Sequence, residues 1–342
     1  MPIIRRLQLL AILAATFIWT TTYVHSVQPQ GVPTFSVGVD LIKVPITIFD
    51  EAGGIVRNPR VLDMRLYEDG RRQEIRSFSM DSNPVSVVLM IDSSGTVEKE
   101  LKYIKEAAGS FADALGSGDR IAVITFADEV DLLLDWTSDP RQVHKALRRI
   151  EPGLRTDLYD AMFEAAHNQL GPVDGRKAII LLTDFLNNQS LIGYQDAVRA
   201  VIGSQASLYI VSKTVMVRQD ARKQRRVVML NEIYSRLYPD SNYIDEFFDR
   251  KESEMNALAE RTGGRCFFPA AYNLLGNAYQ QVAQELKSQY YLTYVSDQAK
   301  TPNSYHRITV EYLQPSGKLV YRQGYYFQPE PGLNPRIIGR NR

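Results

Sequence analysis

Two aspartates and three hydroxyl side chains, each just beyond an apolar run or just before a helix, are where this sequence can do chemistry. The run Ser86 to Ile91 leads into Asp92-Ser93-Ser94-Gly95-Thr96, and the run Ala178 to Leu182 leads into Thr183-Asp184. Between them, Arg155-Thr156-Asp157 stands before a helical pattern. In a parallel sheet the ligand crevice lies at the carboxyl ends of the strands, so polar groups at these positions are placed to converge. Hard divalent cations take carboxylate, hydroxyl and water oxygens. Asp92, Ser94, Thr96, Thr156 and Asp184 offer such oxygens on three loops and leave a water position open. Taken singly, each piece also reads as a helix cap, with Asp92, Ser94, Thr156 or Asp157 accepting backbone N–H bonds.

Other chemistries find less support. A single cysteine excludes an internal disulfide and a thiolate-cluster zinc site, and four histidines without close spacing give no histidine ligand set. His144 and His167 fall on helical patterns, Ser93 and Ser94 lack a G-x-S-x-G elbow, and Gly116-Ser117-Gly118-Asp119-Arg120 precedes a strand and is a turn. Asp157 and Asp160 lie close enough to Thr156 to suggest a metal-assisted hydrolase as a minor alternative. Forty Lys and Arg against 39 Asp and Glu leave a formal charge of +1, too little for a field that holds nucleic acid. The Arg222 to Arg226 run is a solvated face or a contact for an anionic surface.

The elements that must position these groups follow from periodicity. With 342 residues, 44% hydrophobic and 23% charged, the chain has material for one large or two ordinary domains. Val85 to Ile91 is almost continuously apolar, as expected of a strand covered on both faces. Val97, Leu101, Ile104, Ala108, Phe111 and Leu115 then recur at helical spacing. Strands at 121–126, 178–182 and 208–211 alternate with helices at about 140–150, 157–170 and 191–202, and 255–286 adds two helices around a short strand at 266–268. The rhythm lapses between Lys213 and Phe248, which reads as an insertion with one or two short helices.

The flanks are β-rich. Phe35 to Ile48 alternates apolar and polar residues, Glu68-Asp69-Gly70 marks a hairpin, and strands return at 290–295, 308–312 and 319–326. Neither flank alone has enough strands to bury a face. The expected architecture is therefore α/β: a doubly wound, mostly parallel sheet inserted in or flanked by a small β-sandwich. Its parts are an N-terminal unit 27–83, a central domain 84–295 with the insertion 213–248, strands 296–326 pairing with the N-terminal unit, and a tail 327–342. Arg5 and Arg6, the apolar run Leu7 to Trp19, and Val24 with Ser26 have the order of an export signal over residues 1–26, with an uncleaved anchor as the alternative. Either implies an exported, periplasmic or secreted protein.

The order of these loops resembles the von Willebrand factor type A domain. Its metal-ion-dependent adhesion site uses Asp-x-Ser-x-Ser on a first loop, Thr on a second and Asp after a later strand. On that resemblance Asp92, Ser94 and Thr96 match the first loop, Thr156 the second and Asp184 the third. The KVPITIFD unit, the LYEDG turn, LYDA after Thr156, ERTGGRCFF and QYYLTYV are similar to the exported bacterial "VWFA-related" branch known from acidobacteria. The resemblance implies a non-enzymatic protein-binding module with a divalent cation, magnesium first and manganese or calcium as alternatives. It also implies a protein ligand that supplies a carboxylate. A structural envelope protein with a vestigial site is the alternative.

Overall fold

The computed structural model describes residues 41–95, 98–224, 229, 232–233, 242–296, 301–314 and 317–327. Residues 1–26, read from sequence as an export signal, together with Thr96, Arg225 and Arg226, and the tail beyond 327 lie outside the described residues.

The chain opens with the strands β1 (Leu41–Phe49), β2 (Met64–Glu68), β3 (Arg71–Gln73) and β4 (Ile75–Met80). The central part follows with β5 (Val85–Asp92), α1 (Glu98–Ala114), β6 (Arg120–Phe126), β7 (Val130–Thr137), α2 (Pro140–Leu147) and α3 (Leu158–Phe163). It continues through β8 (Arg176–Thr183), α4 (Tyr194–Gly203), β9 (Ser207–Ser212), α5 (Thr214–Ala221) and α6 (Tyr243–Arg261). After β10 (Cys266–Phe267) and α7 (Leu275–Lys287) come β11 (Tyr290–Val295), β12 (Tyr305–Tyr312), β13 (Lys318–Tyr321) and β14 (Gly324–Tyr326).

The central sheet runs β10-β9-β8-β5-β6-β7, parallel except for the edge strand β7. All eight residues of β5 are buried, because helices cover both faces. On one face Val87, Leu89 and Ile91 pack with Ile104, Phe111, Tyr279 and Val282 of α1 and α7. On the other, Val88 and Met90 pack with Leu158, Met162, Val198 and Met255 of α3, α4 and α6. A doubly wound α/β sheet is thus present. The helix expected over 157–170 stops being α-helical at Phe163 and continues as a π turn over Glu164–Gln169.

Two antiparallel sheets flank this core, ordered β13-β1-β11-β4 and β14-β12-β2-β3. They share one apolar cluster, with Val44, Ile46 and Leu292 from the first and Leu66, Ile308 and Val310 from the second. β1 sits between β11 and β13, and β2 between β3 and β12, so strands from the two ends of the sequence alternate in the first sheet and meet at the β12–β2 pair in the second. β11, which a boundary at 295 would leave with the central domain, instead pairs with β1 and β4, because Leu292 and Tyr294 face the sandwich core. Arg265 joins sandwich to centre. Its guanidinium lies 4.7 Å from the Phe49 ring centroid and 4.6 Å from that of Phe267, and it pairs with the buried carboxylate of Glu285. Arginine suits such a place because its planar cation stacks on rings while keeping its hydrogen bonds.

Within 213–248, α5 and the start of α6 are helical, and they are stitched together by charge. Arg218 reaches Asp249 at 2.8 Å and Glu252 at 2.9 Å. Arg222 pairs with Asp245 and Lys223 with Asp220, so these two members of the basic run already face carboxylates of their own chain.

Candidate functional site

Asp92 ends β5, where hydrogen bonds bolt its turn to neighbouring loops. The Ser93 N–H donates to Phe126 O at 3.1 Å, the Gly153 N–H to Ser93 O at 3.2 Å, and the Gly95 N–H to Gly153 O at 2.9 Å. Gly95 adopts a left-handed φ of 58°, which glycine takes at no steric cost. Gly153 is required for a different reason: a Cβ there would collide with the Cβ of Ala127.

The second and third loops are joined in the same way. The Thr156 N–H donates to Asn188 Oδ1 at 2.9 Å, and the Asn188 N–H returns to Thr156 O at 3.2 Å. Arg155 Nη1 donates to Gln189 Oε1 at 2.8 Å. Asp160, considered from sequence as a base, accepts from the N–H groups of Leu191 at 3.0 Å and Ile192 at 2.7 Å, so its carboxylate is a brace for the third loop.

Of the five residues expected at the site, Asp92, Ser94, Thr156 and Asp184 stand at the carboxyl edge of the central sheet, all buried; Thr96 is outside the described residues. Asp92 is enclosed by donors. Its Oδ1 accepts the Ser94 N–H at 3.0 Å and the Ser94 hydroxyl, and its Oδ2 accepts the Thr183 hydroxyl at 2.9 Å. The Thr183 hydroxyl in turn accepts the N–H of Phe185, a buried aromatic held at a φ of 62°. Burial pushes the Asp184 carboxyl above the usual carboxylate range, Lys213 pulls it back, and Asp92 adds to the upward push.

Lys213 is the residue that sequence reasoning missed. Only 2% exposed, it follows β9 and reaches across β8. Its Nζ lies 3.1 Å from Asp92 O, 3.5 Å from Ser94 O and 3.5 Å from Asp92 Oδ2. The available signal was a lysine directly after an apolar strand, the same placement that singled out Asp92 and Asp184.

The donor set suits a hard cation. The Ser94 hydroxyl gives its hydrogen to Asp92, which is the orientation an oxygen ligand needs, and carboxylate and threonine oxygens complete the chemistry. Among the described residues no group of three or more His, Cys, Asp or Glu forms a metal cluster, so hydroxyl oxygens are essential to any such site here.

Residues 87–187 match the family model of the von Willebrand factor type A domain. Over that stretch the chain is similar to the von Willebrand factor type A domain. Among curated proteins, no sequence matches the chain. Solved structures similar to it include proximal thread matrix protein 1 of the mussel byssus, 14% identical over 64% of this chain and 51% of that one, with a TM-score of 0.46. A von Willebrand factor type A protein of Catenulispora acidiphila is 11% identical over 85% and 74%, with a TM-score of 0.45. BatB of Bacteroides thetaiotaomicron is 17% identical over 59% and 97%, with a TM-score of 0.39. The chain thus spans about half the length of the mussel protein.

Among the described residues, the histidines are engaged away from the carboxyl edge of the central sheet. His144 pairs with Asp113 at 3.0 Å and His167 stacks on Phe163. In the sandwich, His306 Nε2 lies 2.8 Å from Ser304 Oγ and its Nδ1 2.8 Å from Asp69 Oδ2. That relay fastens turns. Ser304 Oγ also donates to Thr301 O at 2.6 Å, and Asp69 also accepts the Arg307 N–H at 2.8 Å.

Proposed function

We propose that this chain is an exported, non-catalytic protein-binding module of the adhesion type, whose partner docks on the loops at the carboxyl edge of the central sheet. The observation that carries this reading is the contrast in exposure there. Leu154 and Leu191, on the second and third loops, are 90% and 96% exposed, while Asp92, Ser94, Thr156 and Asp184 beside them are buried. The Arg155 to Gln189 and Thr156 to Asn188 bonds hold the two loops together, so both leucines belong to one edge. Exposed apolar side chains on a rigid edge give a partner area to bury, with polar groups around them.

A divalent cation, magnesium first with manganese or calcium as alternatives, would be held by Asp92, Ser94, Thr96, Thr156 and Asp184. When bound it supplies positive charge for a carboxylate of the partner. The chain's own residues orient that chemistry: Asp92 fixes the Ser94 hydroxyl, Thr183 fixes Asp92, and the loop bonds fix Thr156 beside them.

The test is capture of envelope proteins by the immobilised chain, compared with Leu154→Asp/Leu191→Asp and Thr156→Ala and repeated in chelator. Loss of the same partner in the leucine variant and in chelator supports the reading. Capture that ignores all three changes points to a structural envelope role, and turnover of a bound substrate to a hydrolase.

A further inference from the structure

We propose that the ammonium of Lys213 is a resident counter-cation of the carboxyl-edge site, which braces the Asp92 to Ser94 turn without a metal and weakens the site's hold on a divalent cation. The affinity half rests on the cation-assisted reading above; the bracing half rests on geometry alone.

An ammonium has three hydrogens. Here they face two backbone carbonyls, those of Asp92 at 3.1 Å and Ser94 at 3.5 Å, and the carboxylate of Asp92 at 3.5 Å. Those carbonyls belong to the turn that presents Ser94, so one buried side chain fixes both the shape of the loop and the charge behind it. Lys213 is itself placed firmly: its N–H donates to Thr183 O at 2.9 Å, and its carbonyl accepts the N–H groups of Met216 and Val217 as α5 begins. Its position is therefore set by the sheet and not by a flexible surface stem.

Two carboxylates brought together at one sheet edge repel unless a cation lies near. Asp92 and Asp184 feel each other, and Lys213 acts on both. With its charge included the three side chains sum to one net negative charge instead of two. The folded loop therefore does not depend on metal for charge balance. A divalent cation entering the same site meets a like charge in a buried setting, where Coulomb repulsion is poorly screened by salt.

Lys213→Met keeps the apolar stem and removes the charge. Thermal unfolding of the full chain in EDTA and manganese titration followed by electron paramagnetic resonance read the two halves separately. The variant is expected to melt several degrees below wild type in EDTA, to recover with manganese, and to bind manganese about tenfold more tightly, since it lacks the buried like charge. Adding Asp184→Asn to Lys213→Met removes the uncompensated carboxylate and should restore the melt in EDTA. The double variant restored in EDTA with no manganese bound by any form would uphold the counter-cation and overturn the cation-assisted reading. Lys213→Met that matches wild type in both readouts, or instability that Asp184→Asn does not relieve, overturns the counter-cation.

Discussion

Nζ of Lys213 lies 3.5 Å from Oδ2 of Asp92, and both side chains are buried, although 121 residues separate them in sequence. Two carboxylates at one sheet edge repel, and on that ground alone deleting Asp92 would be harmless to the fold. The structure reverses that for Asp92, which accepts hydrogen bonds from Ser94 N–H, the Ser94 hydroxyl and the Thr183 hydroxyl. Asp92→Ala strands these buried donors and should cost about 2–4 kcal/mol. Urea unfolding checks this; an unchanged midpoint would mean that the enclosure does not hold Asp92.

Gly153→Ala should disturb the site without touching any candidate ligand. The added Cβ collides with Ala127 and pushes the 153 loop from the Asp92 turn, to which two backbone hydrogen bonds tie it. Overpacking of this kind costs about 1–3 kcal/mol. Denaturant melts measure the cost, and exchange of the Gly95 and Gly153 amides should quicken as the loops part.

The sandwich should fall apart from one end. Removing residues 301–327 takes away β12, β13 and β14, leaving β1 without one neighbour and β2 with only the short β3. Amide exchange should then lose protection over Leu41–Phe49 and Met64–Glu68 while Val85–Asp92 stays protected. Persistent protection in β1 and β2 would show that the N-terminal strands stand alone.

Lys177 gives a pH dependence. Burial, with Arg322 beside it and Asp174 acting against, brings its amine from an ordinary value near 10.5 down to about 8. The unfolded chain therefore holds this proton more tightly than the folded one between those values, so the group's contribution to stability rises with pH across that window. Below pH 8 the folded state bears the full penalty of the charged amine. Lys177→Met should be more stable than wild type at pH 6.5, with the advantage closing between pH 8 and 10.5. A gap in urea stability that stays constant over that range would contradict the shift.

The central strands were legible because their chemistry is local. An almost continuous apolar run such as Val85 to Ile91 needs cover on both faces, and the polar residue that ends it must sit at the sheet edge. Short helices were expected within 213–248, but not that one of them runs unbroken into the helix around Met255: Asn242 caps α6, Ile244 and Phe248 bury one face, and Asp245, Glu246 and Asp249 mask that periodicity in sequence. Lys213 was hidden because its role depends on strand order, which places β9 two strands from β5. The exposure of Leu154 and Leu191 was equally hidden, since an isolated leucine in a loop has no periodicity to show which way it faces.

Manganese titration of the wild-type chain alongside Asp184→Asn and Thr156→Ala, read by electron paramagnetic resonance, tests the carboxyl-edge site most directly. A single class of site in wild type, lost in Asp184→Asn and weakened less in Thr156→Ala, is the expected result, because the carboxylate supplies charge and the hydroxyl only a dipole. Binding that is absent from wild type, or unaltered in Asp184→Asn, would contradict a cation site on these loops.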